Sequence, residues 1–149
     1  MKISIGCDHG AFEYKDAVVK HLVEVGHEVV DYGTFNTDSV DYPDFAYRAA
    51  KDVADNKVDR GIVMCTTGIG VSITANKVKG VRCALVDRVD IAQVTREHND
   101  SNCLALGQKL TDLPTAIAIV DTWLNTEFSN LEKHARRVEK IRGIEKGLD

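Results

Sequence analysis

The chain has little of what marks several large protein classes. No apolar run approaches the ~18 residues that a membrane-spanning helix needs. The opening MKISIGCD reads as a strand, without the basic start and apolar core of an export signal. A cytoplasmic protein with no membrane partner is the expectation. Cysteines stand at positions 7, 65, 83 and 103, with no C-x-x-C and no paired histidines beside them. That spacing suits neither a zinc site nor a secreted disulfide framework, so reduced thiols and no metal are expected. There are only two prolines, Pro43 and Pro114, and each stands where a helix can begin. A net charge of −4 argues against a general nucleic-acid binder.

What is present suits one domain covering residues 1–149. An apolar share of 44% and a charged share of 28% are ordinary for a globular chain of this length, which is enough for a real core. The charge is uneven. Residues 132–149 carry six Lys/Arg against four Asp/Glu, which leaves the rest of the chain at −6. The segment reads either as a solvated terminal helix or as an anion-binding tail.

Periodicity alternates between strand and helix five times. Strands are expected at 2–7, 27–32, along the apolar run 62–64 that ends at Cys65, at 81–86 and at 102–106. Helices are expected at 11–25, from Pro43 to about Val53, from Val71 to Lys77, at 88–97, and from Pro114 to about Glu127. In the last of these, Leu113, Ile117, Val120 and Leu124 are expected to face inward. A charged helix of about 128–147 closes the chain. Its apolar positions, Leu131, Val138, Ile141 and Ile144, are too few to anchor it alone. The alternation predicts right-handed crossovers and an open, five-stranded parallel sheet. Ligands of such sheets bind beyond the carboxyl ends of the strands.

The stretch Asp59–Asn76 (DRGIVMCTTGIGVSITAN) is the most informative one. A buried strand ends at Cys65, and Thr66, Thr67, Gly68, Ile69 and Gly70 then turn into a helix. Backbone N–H groups in such a turn face an anion or a developing oxyanion, and the same place favours a thiolate. Three familiar readings fail on single residues. GIGVS lacks the lysine of a Walker loop. Ile73 stands where a dinucleotide fingerprint needs a small residue. Val71 stands where a cysteine phosphatase would place arginine. A cysteine beside backbone donors remains, which suits proton abstraction next to a carbonyl better than phosphoryl transfer. By spacing alone, a buried and inert cysteine explains Cys65 as well. Asp8-His9 at the end of the first strand is a second polar cluster, with a helix N-cap as the plain alternative for Asp8. Arg96-Glu97-His98-Asn99-Asp100 is a third. It is either a solvated charge run or the seat of a histidine acid/base. His21 and His27 have no partner nearby in sequence.

Together these stretches resemble the type B ribose-5-phosphate isomerase family, which includes the galactose-6-phosphate isomerase subunits. The resemblance covers nearly the whole chain. It rests on GCDHGAFEYK at 6–15, VDYPDF at 40–45, DRGIVMCTTGIGVSITANK at 59–77, TREHND at 95–100 and LALGQKL at 104–110. It implies a Rossmann-like three-layer αβα sandwich, a homodimer or homotetramer with active sites at the interface, and no metal or nucleotide cofactor. The closing helix would then pack on a neighbouring subunit. It also implies an aldose–ketose isomerase acting on a sugar phosphate through a cis-enediolate, with ribose 5-phosphate and ribulose 5-phosphate as the pair. A six-carbon sugar phosphate is the alternative substrate, and a non-catalytic sugar-phosphate binder the alternative class.

By resemblance Cys65 is the base. Thr67 and the N–H groups of Thr66, Thr67, Gly68, Ile69 and Gly70 hold the enediolate, and His98 of a neighbouring subunit opens the sugar ring with Asp8. Asp8, His9 and Asn99 bind the sugar, and Lys109, Lys133 and Arg137 bind the phosphate. Lys109 and Lys133 stand where the family usually has arginine, and lysine binds phosphate without the bidentate fork.

Overall fold

In the computed structural model, which describes residues 1–147, the chain alternates strand and helix throughout. The elements are β1 (Lys2–Cys7), α1 (Phe12–Glu24), β2 (Glu28–Asp31), α2 (Tyr42–Ala54), β3 (Arg60–Cys65), α3 (Ile69–Asn76), β4 (Cys83–Leu85), α4 (Val89–Asn99), β5 (Cys103–Gly107), α5 (Leu113–Asn125) and α6 (Glu132–Glu145). A short 3₁₀ turn, His9–Ala11, precedes α1. All strand pairs are parallel, in the order β2-β1-β3-β5-β4.

The core lies in two layers, one on each face of the sheet. Ile3, Ile5, Ile62, Met64, Leu104 and Leu106 point towards α1 and α5. Val63, Cys65, Cys103 and Ala105 point towards α2 and α3. The central strands are therefore apolar on both faces, which is why they read as runs rather than as alternations. Ala46, Ala49 and Ala50 let α2 lie close to the sheet. Among the described residues, no helix is long and apolar enough to cross a membrane.

Two boundaries and one inward-facing position differ from the periodicity reading in ways that bear on the site and the core. Strand four keeps only Cys83–Leu85. The side chain of Asn76 bonds both backbone groups of Cys83, its amide donating to the carbonyl (2.9 Å) and its Oδ1 accepting from the N–H (2.8 Å). This covers the outer edge of β4, the edge strand of the sheet, at Cys83. The closing helix begins at Glu132 rather than near 128, since Asn130 is held at φ 57°, a left-handed conformation that a helix cannot pass through. Leu113, expected inside, is 37% exposed, and α5 instead buries Ala116, Ile119, Val120, Trp123 and Leu124.

One buried charge fixes the end of β1. The Lys15 side chain is fully buried, with Nζ 2.8 Å from Asp31 Oδ2 and 3.1 Å from Asp16 Oδ1. Asp31 Oδ1 in turn accepts from the Gly33 N–H (2.8 Å). The segment after β2 is thus held against β1, where Thr34 N–H donates to the Cys7 carbonyl. Burial alone would push the Lys15 ammonium down, but the two carboxylates outweigh it and hold it above the ordinary lysine range. Its stabilisation is complete below the unfolded lysine pKa and is lost as pH rises through the raised folded value. Lys15→Met should cost about 3 kcal/mol, because it strands Asp31 without its partner. Urea denaturation at pH 7 measures this, and a loss under about 1 kcal/mol would mean that the pair is screened as a surface pair is.

Candidate active site

The sheet order reverses between β1 and β3, which leads the chain to opposite sides of the sheet. Their adjacent carboxyl ends make the crevice expected of such a fold. Asp8 N–H donates to the Met64 carbonyl at 3.3 Å, so Asp8 and Cys65 emerge side by side. Asp8 does cap the 3₁₀ turn, its Oδ1 accepting from Gly10 N–H at 3.0 Å, which leaves Oδ2 to meet a ligand hydroxyl. His9 Nδ1 accepts from the Val40 N–H at 3.1 Å. An amide can only donate, so a neutral His9 carries its proton on Nε2.

Cys65 is 6% exposed, and its Sγ accepts from the Gly68 N–H at 3.1 Å. That contact fixes the sulfur against the backbone of the turn. It needs Gly68 at φ 76°, where a Cβ would also collide with Leu85 and the Leu106–Gly107 backbone. Thr67 Oγ1 accepts from the Ile69 N–H at 3.3 Å. Two of the N–H donors anticipated for an oxyanion are therefore engaged inside the turn, and Gly70, in the first turn of α3, keeps an N–H without an intrahelical partner. The turn is zipped to the segment after β5: Gln108 N–H donates to the Cys65 carbonyl (3.0 Å) and Lys109 N–H to the Thr66 carbonyl (2.9 Å). Lys109 is thereby held at the same end of the sheet as Cys65.

The other anticipated residues are elsewhere. α4 starts just past the carboxyl end of β4 and runs back for 11 residues, about 16 Å at 1.5 Å per residue. His98 and Asn99 at its far end are exposed and lie at the amino ends of the strands. Two arginines fasten that corner. Arg82 donates to the Asp100 carbonyl (2.8 Å) and contacts Asp100 Oδ2 (3.3 Å), while Arg96 donates to Asp100 Oδ1 (2.8 Å) and the Ser101 carbonyl (2.6 Å). Asp100, at φ 47°, ends the helix under that clamp. Exposed Lys133 and Arg137 of α6 lie at the same corner. One chain thus places Cys65 and His98 at opposite ends of the sheet.

A model of the ribose/galactose isomerase family matches residues 3–141. The chain belongs to that family. It is 45% identical to ribose-5-phosphate isomerase B of Escherichia coli, over 97% of this chain and 96% of that protein. Its fold matches the structure of Clostridium thermocellum ribose-5-phosphate isomerase B with a TM-score of 0.96, 49% identity and full coverage of both chains. A ribose 5-phosphate isomerase from Thermotoga maritima matches with a TM-score of 0.91 and 44% identity, over 95% of this chain and 97% of that one. As a ribose/galactose isomerase family member, the chain is a sugar isomerase.

His21, His27 and the other cysteines are engaged or buried away from the β1/β3 crevice or carry no partner there. His21 pairs with Asp121 of α5 at 2.7 Å, a partner distant in sequence. His27 Nδ1 shares a 3.0 Å hydrogen bond with the chain's amino terminus. All four cysteines are free thiols. Burial pushes the Cys7 thiol up to about 12, so it stays protonated. Tyr42 is a residue that sequence reasoning passed over as a site group. A Cβ on Gly70 would strike its ring, so the phenol leans over the start of α3, where it can meet a substrate hydroxyl. Its place in VDYPDF was visible, but its approach to Gly70 depends on how α2 packs against α3.

Proposed function

We propose that the chain interconverts D-ribose 5-phosphate and D-ribulose 5-phosphate through a cis-enediolate, in sites that two copies of the chain build together. The observation that carries this reading is the Cys65 sulfur, held by the Gly68 N–H at the β1/β3 crevice, while His98 stands at the far end of α4. The shift needs one base, donors for an oxyanion, and an acid for the ring oxygen. Carbon 1 is reduced as carbon 2 is oxidised, so no external redox partner enters the balance.

His98 of a second copy protonates the ring oxygen as Asp8 accepts the proton of the anomeric hydroxyl, which frees the aldehyde. The Cys65 thiolate takes the proton from C2, and charge moves onto the carbonyl oxygen. Thr67 and the N–H groups at the start of α3 hold that oxygen. The proton returns at C1, and shifting the hydroxyl proton from O2 completes the ketose. Asp8, His9 and Asn99 bind sugar hydroxyls. Lys109 from the cysteine side, with Lys133 and Arg137 from the histidine side, holds the phosphate.

Surface chemistry supports a second copy. Leu131, Ile141 and Ile144 of α6 are 54%, 45% and 68% exposed. A groove of about 1130 Å³ runs between α2 and α3, lined by Pro43, Phe45, Tyr47, Ile73 and Val78 among others. It lies beside the Cys65 turn rather than over it, which suits a neighbouring subunit better than a small sugar.

An isomerisation assay across pentose and hexose phosphates, with free ribose as control, tests the substrate. Ribose 5-phosphate should exceed allose and galactose 6-phosphates in kcat/KM by about tenfold or more, since a site fitted to one chain length discriminates by at least a kcal/mol. Arg137→Ala should raise KM for ribose 5-phosphate about tenfold, as expected for a lost charge-assisted contact, without altering the response to free ribose. A preference for a six-carbon substrate would overturn the assignment.

A further inference from the structure

Beside His98 stands a second imidazole for which this scheme has no task. His134, on α6 between Lys133 and Arg137, is only 5% exposed. Its ring stacks on that of His98, with centroids 4.2 Å apart and planes at 30°. Its Nδ1 shares a 2.6 Å hydrogen bond with Ser129 Oγ. Ser129 is itself tied to α4, its N–H donating to the Glu97 carbonyl at 3.2 Å, one residue before His98. Ser129 Oγ also accepts from the Leu131 N–H at 3.2 Å. The end of α4, the turn at 129–131 and the His134 ring therefore brace one another around His98.

We propose that His134 is a positioning residue for His98: its buried imidazole is the plate against which the His98 ring lies, setting the angle at which that ring meets a sugar ring oxygen. This rests on the ring-opening role given to His98 above. An exposed histidine at a helix end is otherwise free to change rotamer, and that freedom must be lost before it can act. A proton donor must sit within hydrogen-bond reach of its acceptor. Stacking restrains the plane of the ring and leaves both nitrogens at its edge open. His134 cannot take the donor's part, because it is buried and its Nδ1 is engaged by Ser129. Burial, with His98, Lys133 and Arg137 beside it, holds His134 below the ordinary histidine range against the opposing pull of Glu97. The plate is thus uncharged at neutral pH, and a protonated His98 lies on it without repulsion.

The two substrates separate this role from a merely structural one. Ribose 5-phosphate rests as a furanose and must open before C2 loses its proton. Ribulose 5-phosphate cannot close a furanose, because its C5 oxygen carries the phosphate. Deuterium exchange at its C1 in heavy water therefore bypasses ring opening. His134→Ala should lower kcat on ribose 5-phosphate about tenfold, with KM within about twofold of wild type and C1 exchange unchanged, as for a displaced catalytic group. His134→Phe, which keeps a plate, should recover most of the kcat.

A general distortion of α6 would instead displace Lys133 and Arg137, raising KM and depressing exchange as well. Wild-type kcat in His134→Ala, parallel loss of exchange, or no recovery in His134→Phe would each overturn the proposal. Should His134→Ala fail to fold, Ser129→Ala frees the ring without removing it, and the same split between turnover and exchange is expected. His98→Asn, run alongside, keeps the two readings apart. If it leaves ribose 5-phosphate turnover intact, the ring-opening role itself is wrong. If it loses turnover where His134→Ala does not, only the positioning role is wrong.

Discussion

Cys65→Ala is expected to remove isomerase turnover by at least ~10²-fold, the low end for loss of a general base, while ribose 5-phosphate still binds. The substitution takes away one sulfur at the end of β3 and leaves the ladder to β1 and β5 in place. Binding rests on the cations and hydroxyl ligands, none of which touches Sγ through a hydrogen bond. Deuterium exchange at C2 and calorimetric binding of the substrate separate the two effects. Cys7→Ala is the control. It too removes a buried strand-end thiol, but one that burial holds protonated at about 12, and turnover should persist. If Cys65→Ala kept turnover within about tenfold of wild type, the thiolate could not be the base.

Mixing two inactive variants should restore activity. In the proposed scheme Cys65→Ala lacks the base and His98→Asn lacks the ring-opening acid. In a mixed dimer one site loses both groups and the other regains both. Random reassortment makes half of the dimers mixed, each with one intact site, so about a quarter of wild-type activity is expected in a closed two-fold arrangement. Co-expression of differently tagged chains guarantees mixed dimers where subunits do not exchange. Activity no greater than that of the separate variants, in verified mixed dimers, would mean that each chain builds its site alone. That outcome would contradict the run of α4 away from the Cys65 end of the sheet. It would require a large rearrangement of a helix fastened by Arg82 and Arg96 at Asp100.

The alternation of strands and helices was legible because it is written in local periodicity, and the central strands carry it on both faces. Sheet class, chain order and the turn after Cys65 needed nothing beyond neighbours in sequence. Where periodicity misled, local conformation or the reach of the core decided the outcome. The left-handed Asn130 delays α6, and Asn76 covers the outer edge of β4 at Cys83. Leu113 sits at a helix start that lies past the edge of the core, although its spacing matches the buried face.

The sequence by itself determined the parallel α/β architecture, the thiol beside a glycine turn, and the separation of that turn from nucleotide and phosphatase chemistry. These follow from which residue types stand next to one another, and such chemistry survives in the one-dimensional order. Only the tertiary structure decided that Cys65 and His98 lie at opposite ends of the sheet. The same holds for the pairing of Lys15 with Asp31, the approach of Tyr42 to Gly70, and the stack of His134 on His98. Each joins residues that stand on different elements and well apart in sequence. A ring's neighbour across such a gap is set by how helices seat on the sheet, and the packing of the whole core fixes that.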